Sequence, residues 1–337
     1  METKEKTMAK VVQFDDPGGP EVLELREIDV GAPGPGELLV EVDAIGLNRA
    51  EVMYREGSYF YPPTHPSGLG YEAAGKVEAV GDHVSGFAVG DPVSVLPTFL
   101  QTEYGTYGDH VLVPAAAVVV RPPDLAPEKA AAVWMAHLTA YGALVEEHRT
   151  RPGDHVLITA ASGSVGLAAI RTAQRIGAVP IATTRTPSKR ERLLEAGAAH
   201  VIVTGEEDLR ARVEDITEGA GVRAVLDPVA GPGVDALAEA VSPGGRLLVY
   251  GALDPRPTPL PNATSFPALS TRTYAVFEIT TDPARLARGV AFVNAGLATG
   301  AVRPTIDTTF DLADIADAHR YMEQNSQIGK IVVTVPH

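Results

Sequence analysis

From about residue 155 onward, apolar runs of strand length alternate with stretches of helical period, and this alternation constrains the fold more than any other feature. Residues 155–159, 180–184, 200–203, 224–227 and 246–250 read as strands; residues 165–176, 188–195, 208–218 and 233–240 read as helices. Strands alternating with helices in this way imply a parallel sheet covered on both faces. Residues 127–134 and 136–147 read as helices leading into it, and 274–278 as its last strand, followed by a helix at 283–296. The first third differs. Short strands at 11–14, 37–44, 75–80 and 92–96 are separated by turns such as Pro33-Gly34-Pro35-Gly36 and Val89-Gly90-Asp91-Pro92, the pattern of an irregular, mainly antiparallel domain. The chain returns to that domain through 305–310, a helix at 313–324 and a strand at 330–335. The expected class is α/β: a doubly wound parallel sheet at 127–278, plus a mainly-β domain made of 1–126 and 279–337.

Length and composition narrow the functional classes. At 337 residues the chain accommodates two domains, and 45% hydrophobic with 21% charged residues is a globular balance. A net charge of -15 would repel a phosphate backbone, so no nucleic acid is expected as partner. The absence of cysteine excludes disulfides, thiolate metal sites, iron–sulfur clusters and a cysteine nucleophile. The first ten residues are charged and lack the apolar segment of a secretory signal. No run approaches the roughly 18 apolar residues of a membrane helix, and Pro114 interrupts the most apolar stretch, 111–120. The expectation is a cytoplasmic protein without a membrane partner.

A dinucleotide fingerprint must follow a strand and open a helix. The segment Ala160-Ala161-Ser162-Gly163-Ser164-Val165-Gly166 does both, with Ala in place of the first glycine. Gly163 lets the backbone approach a pyrophosphate, Gly166 permits close packing, and the first helical amides, with Ser162, Ser164 and Val165, face the phosphates. An NAD site places an acid about 20 residues further on, at the ribose hydroxyls. Here that region reads Thr183-Thr184-Arg185-Thr186-Pro187-Ser188-Lys189-Arg190, with no acid. Thr184, Arg185 and Lys189 would instead meet a 2′-phosphate, for which the planar guanidinium is well shaped. NADPH is the expected cofactor, and Arg190 is read as a solubilising charge. Asp227-Pro228-Val229 and Tyr250-Gly251-Ala252 end two further strands, where open α/β sheets bind ligands. Val229 and Gly251 are therefore added to the cofactor set.

Taken together, these segments resemble the medium-chain dehydrogenase/reductase superfamily, and within it the zinc-independent quinone oxidoreductases and enoyl reductases. The resemblance is carried by Gly46-Leu47-Asn48-Arg49-Ala50-Glu51, Gly68-Leu69-Gly70-Tyr71-Glu72-Ala73-Ala74-Gly75 with Val80-Gly81, and Val89-Gly90-Asp91-Pro92-Val93. Leu138-Thr139-Ala140-Tyr141, the glycine loop and Gly329-Lys330-Ile331-Val332 complete it. It implies a GroES-like catalytic domain, a Rossmann domain and a homodimer. It also places Asn48 at the hydride-transfer site, Thr139 near the nicotinamide, and Phe277 and Lys330 at the cofactor. The zinc branch has Cys at the position resembling Asn48, His at that resembling Tyr71, and a second Cys shortly before that resembling Thr139. Asn48, Tyr71 and Trp134-Met135-Ala136-His137 stand there instead. His65, His83, His110 and His137 are isolated in sequence, so no metal is expected.

Without a Lewis acid, reduction of a quinone or of the C=C of an enone or enoyl thioester is the less demanding chemistry, because the distant oxygen needs only hydrogen-bond donors. Asn48, Tyr54 and Tyr59 are the catalytic candidates, the two phenols as substrate contacts. Glu72 can be structural or catalytic, and Tyr71 can fill the space of the missing His. Two alternatives stay open at this point: a non-catalytic NADPH-binding protein, and an alcohol dehydrogenase with an unusual metal site.

Overall fold

The structure, a computed structural model, describes residues 6–261 and 269–337; the first five residues of the charged N-terminal stretch lie outside it. The chain divides into two compact units, Met1–Met135 with Pro304–His337, and Ala136–Arg303. Both boundaries fall later than the sequence suggests. The first lies inside the helix Trp134–Tyr141, and the helix Pro283–Thr299 belongs wholly to the second unit.

The first unit is built on a seven-stranded sheet. Its path runs Ile306–Asp311, Lys330–Thr334, Glu37–Gly46, Ala73–Val80, Pro92–Val95, Val118–Val120, with His110–Pro114 also paired to Glu37–Gly46. All pairings are antiparallel except that of Ile306–Asp311 with Lys330–Thr334. Leu38, Val40, Val42, Ala44 and Ile45 have no exposed surface, as befits a strand paired on both sides. Met8–Gln13 and Glu24–Asp29 form a separate antiparallel pair. Glu24–Asp29 has no apolar face and so gives no sequence signal. The helix Arg49–Arg55 starts at Asn48, where Glu51 reaches back to the Asn48 amide in a capping box.

The second unit is a six-stranded, all-parallel sheet. Its order is His200–Val203, Val179–Thr184, His155–Ile158, Val222–Asp227, Val241–Val249, Ser270–Thr273. Numbered along the unit this is 3-2-1-4-5-6, the doubly wound order of dinucleotide-binding sheets. Leu157, Ile181, Ile202, Val225 and Leu247, from five of the six strands, join a core closed by Val213, Val234 and Leu237 from helices. The helix Ser164–Ile176 buries Leu167, Ala168, Ile170 and Ala173 and ends at Gly177, whose φ of 85° only glycine adopts readily.

Two expectations are corrected. The last strand is not 274–278: it is Ser270–Thr273, and Phe277 opens the short helix Phe277–Thr280. A polar Ser-Thr-Arg-Thr strand at an exposed sheet edge gives no apolar signal, whereas the apolar residues after it enter a helix. The helix expected at 136–147 is α-helical only through Tyr141 and continues as a π-helix over Gly142–Glu147.

Candidate functional site

In the parallel-sheet unit the strand order reverses between His155–Ile158 and Val222–Asp227, the point outside whose C-terminal ends such sheets bind ligands. The glycine loop leaves the first of these strands. Ala160 takes a φ of 44°, the conformation that glycine adopts more readily, and Gly163 caps the helix Ser164–Ile176. A Cβ on Gly166 would lie 2.5 Å from the Ala161 carbonyl oxygen, so the helix can meet the loop this closely only with glycine there. Ser162, Gly163, Ser164 and Val165 are half-exposed, and the first-turn amides have no intrahelical acceptor.

The 2′-phosphate candidates gather beside this loop. Thr184 ends its strand and donates to the Thr186 carbonyl at 3.2 Å. Arg185 is exposed, with no ion pair among the described residues. Lys189 extends to the loop itself, its Nζ donating to Ser162 Oγ at 3.2 Å. Arg190, read as a solubilising charge, is paired with Glu207. Glu207 also pairs with Arg212 at 2.8 Å and accepts from the Val203 amide at 2.9 Å, so it does not neutralise Arg185.

Val229 and Gly251 sit on the neighbouring strand ends. A Cβ on Gly251 would lie 2.8 Å from the Pro228 carbonyl oxygen. Thr139 is buried, and its carbonyl accepts from the Tyr274 hydroxyl at 3.2 Å. Phe277 is half-buried. Asp227, which the sequence places only as a strand end, accepts hydrogen bonds from Thr159, Val229 and Ala230. Burial pushes its carboxyl above the usual range.

In the mainly-β unit the remaining candidates form a closed polar cluster. Lys330 is 1% exposed, and its ammonium donates to Asn48 Oδ1 at 2.6 Å and Glu72 Oε2 at 2.7 Å. The structure thus gives Lys330, expected at the cofactor, two internal partners. The Asn48 amide donates to the Gly46 carbonyl and to Glu51, each at 3.0 Å. With Lys330 on its oxygen, the hydrogen-bonding capacity of Asn48 is met inside the protein. Glu72 accepts from the Trp134 and Met135 amides at 2.5 and 3.1 Å, a structural use of the carboxylate.

The cluster continues through residues that sequence reasoning missed. Arg55 can only donate, so Nδ1 of His319, 3.1 Å from it, accepts. Nε2 then carries the proton and donates to the Tyr107 hydroxyl at 3.2 Å, and Tyr107 donates to Glu51. Burial, with the Arg55 charge alongside, holds His319 down at about 3, neutral. Burial pushes Glu51 up to about 8 against the pull of Lys330 and Asn48, and raises Glu72 in the same way. The spacing Asn48-x-x-Glu51 is a capping box and is the one signal that could have singled out Glu51.

The aromatic candidates separate by exposure. Tyr54 has no exposed surface, and its hydroxyl bonds Ser67 Oγ at 2.7 Å. A substrate contact would need that packing opened. Tyr59 is half-exposed and hydrogen bonded to buried Tyr71, which also bonds Tyr61. Desolvation holds the Tyr59 and Tyr71 phenols well above their usual range, hence protonated. Among the described residues no group of His, Cys, Asp and Glu is arranged to hold a metal ion, and no helix is long and apolar enough to cross a membrane.

Comparison with known proteins gives the same architecture. The model of the alcohol dehydrogenase GroES-like domain matches residues 34–124, and that of the zinc-binding dehydrogenase family matches residues 196–333. The chain is 32% identical over 331 residues to a component of the phenolphthiocerol/phthiocerol polyketide synthase of Mycobacterium tuberculosis. That match covers 96% of this chain but only 15% of the much longer relative. It is 37% identical to the quinone oxidoreductase of Pseudomonas aeruginosa, covering 72% of this chain and 74% of that one. Among solved structures, the Escherichia coli quinone oxidoreductase complexed with NADPH superposes with a TM-score of 0.89 at 29% identity, over 96% of this chain and 99% of that one. The CurK enoyl reductase does so with a TM-score of 0.86 at 26% identity, over 97% and 99%. The expected GroES-like and Rossmann folds are therefore present, without the zinc branch's Cys and His at the positions of Asn48 and Tyr71. This chain belongs to the medium-chain dehydrogenase/reductase superfamily, in its zinc-independent, quinone oxidoreductase-like branch.

Proposed function

We propose that the protein is an NADPH-dependent, metal-independent oxidoreductase that reduces a quinone or the C=C of an α,β-unsaturated carbonyl, an enoyl thioester included. One observation carries the reading: a glycine loop at the reversal point of a 3-2-1-4-5-6 sheet, flanked by the exposed Arg185 guanidinium, without an ion pair among the described residues, and by Lys189 already bonded to the loop. These residues suit a dinucleotide that bears an extra phosphate. When bound, NADPH supplies the hydride.

The chain's own groups do the rest. The amides of Ser164 and Val165 hold the pyrophosphate, and Thr184, Arg185 and Lys189 hold the 2′-phosphate. Tyr59, protonated and half-exposed, donates to the acceptor's oxygen as charge grows there. Asn48 and Lys330 act from within their closed cluster, through shape and charge. The quinone oxidoreductases and the enoyl reductase among the relatives support both acceptor classes. A homodimer is part of the same proposal; light scattering on the eluted protein should give twice the chain mass.

The test is NADPH consumption against a panel of quinones, enones and enoyl thioesters. Turnover with at least one class is expected, reduced in Tyr59→Phe. Tight NADPH binding without turnover of any class would overturn the enzymatic reading in favour of a binding protein.

A further inference from the structure

Asp227 ends the fourth strand of the parallel sheet and has no exposed surface. A hydroxyl and two amides satisfy its carboxylate, which forms no ion pair among the described residues. Oδ1 accepts from the Thr159 hydroxyl and, at 3.2 Å, from the Val229 amide; Oδ2 accepts from the Ala230 amide at 2.8 Å. Thr159 follows the first strand and immediately precedes Ala160, where the glycine loop begins. One carboxylate therefore ties together the two strand ends between which the sheet order reverses.

The backbone beyond Asp227 is held in a conformation it would not choose. Ala230 has φ 61° and ψ -149°, a region that is essentially glycine's own. Such a conformation persists only where surrounding groups over-determine it. Here they do. The Ala230 amide is fixed by Asp227, the Pro228 and Val229 carbonyls accept from the Leu253 and Asp254 amides at 3.1 and 2.8 Å, and the Gly231 amide donates to Thr258 Oγ1 at 2.9 Å. The Val229 amide is thereby used, while its carbonyl, with one bond from the Asp254 amide, keeps a second lone pair. On the other strand end, Ala160 also has a positive φ. Two strained alanines thus face the reversal point, joined through Thr159 and Asp227.

We propose that Asp227 is a positioning residue for the dinucleotide: by holding Thr159, Val229 and Ala230 at once, it fixes the glycine loop and the 228–231 loop relative to each other and so sets NADPH affinity. This rests on the NADPH reading above. In Asp227→Asn one carboxylate oxygen becomes an NH2 that cannot accept from the Val229 or the Ala230 amide it faces, so one of these two loop amides loses its acceptor and the hold on Ala230 loosens. Losing a charge-assisted hydrogen bond of this kind corresponds to a roughly tenfold to hundredfold weaker binding.

The experiment is calorimetric titration of NADPH into the wild type, Asp227→Asn, Thr159→Val, and the double variant Asp227→Asn with Ala230→Gly. The expected result is weaker NADPH binding in both single variants, and recovery of most of the affinity in the double variant, because glycine holds the conformation unaided. A merely structural carboxylate would lower stability without that recovery. Should Asp227→Asn not fold, Thr159→Val still removes the tie across the strand ends. Wild-type binding with unchanged affinity in both single variants, or no recovery in the double variant, would overturn the proposal. Absence of NADPH binding by the wild type would overturn the NADPH reading and this proposal with it.

Discussion

In the mainly-β unit, Lys330, Glu72, Asn48 and Glu51 are buried and hydrogen bonded to one another. In the parallel-sheet unit, Arg185 stands exposed, without an ion pair among the described residues, beside a half-exposed loop whose first helical amides have no intrahelical acceptor. Both regions are polar, and both contain residues that a motif reading assigns to function. The difference lies in what each leaves unmet. A cluster that satisfies its own charges resists change and keeps a shape. A cation and a set of amides left facing solvent call for an anion. Lys330 and Arg185, both expected at the cofactor, therefore have different consequences when removed.

The largest effect should follow Lys330→Met. It strands the buried Glu72 carboxylate and the Asn48 amide oxygen, and breaking a buried pair from one side costs about 3–5 kcal/mol. Urea unfolding should show this as a large drop in midpoint. Unchanged stability with weakened NADPH would move Lys330 from the closed cluster to the cofactor site.

Arg185→Ala should do the reverse. Charge-assisted hydrogen bonds to the 2′-phosphate are worth about 1.5–3 kcal/mol, so NADPH should weaken by roughly tenfold or more, with NADH binding and unfolding both nearly unchanged. Gly166→Ala should disturb the same region by crowding. Its Cβ meets the Ala161 carbonyl, at a cost of about 1–3 kcal/mol, and NADPH and NADH should weaken together. Selective loss of NADPH alone would mean that Gly166 serves the 2′-phosphate and not the loop shared by both nucleotides.

The closed cluster also has a pH signature. His319 is held at about 3, below the usual 6.5. Its contribution to stability is complete above pH 6.5 and is lost as pH falls toward 3, by up to roughly 1.4 kcal/mol per pH unit. Glu51 is raised from 4.5 to about 8. Its contribution is complete below pH 4.5 and is lost as pH rises toward 8. The two slopes oppose each other between 4.5 and 6.5. Denaturant midpoints across pH should therefore fall less steeply toward acid in His319→Gln and less steeply toward alkali in Glu51→Gln than in the wild type; unchanged profiles would mean that neither group titrates as its burial demands.

The smallest effect is expected for Arg190→Ala. A partly exposed pair with Glu207 is worth about 0–1 kcal/mol, and NADPH affinity should stay within about twofold of wild type, on the view that Arg190 does not reach the phosphate.

Much of the parallel-sheet unit was legible because its constraints are local. A glycine at 166, a helix directly behind it and a basic strand end at Arg185 are neighbours in sequence as well as in space. The mainly-β cluster was not, because Lys330 meets Asn48 across most of the chain and nothing near either residue announces the other. Tyr54 and Tyr59 show the same limit. Both read as phenols near a site, and only packing reveals that one is enclosed against Ser67 and the other is half-exposed. Asp227 was legible as a strand end but not as the group that holds two loops, since a carboxylate's donors depend on where three other backbones come to lie.

The most direct test of the contrast is a paired calorimetric titration of NADPH and NADH into the wild type and Arg185→Ala. The wild type should bind NADPH far more tightly than NADH, and this preference should collapse in Arg185→Ala while NADH binding is retained. Equal binding of the two nucleotides by the wild type would contradict it.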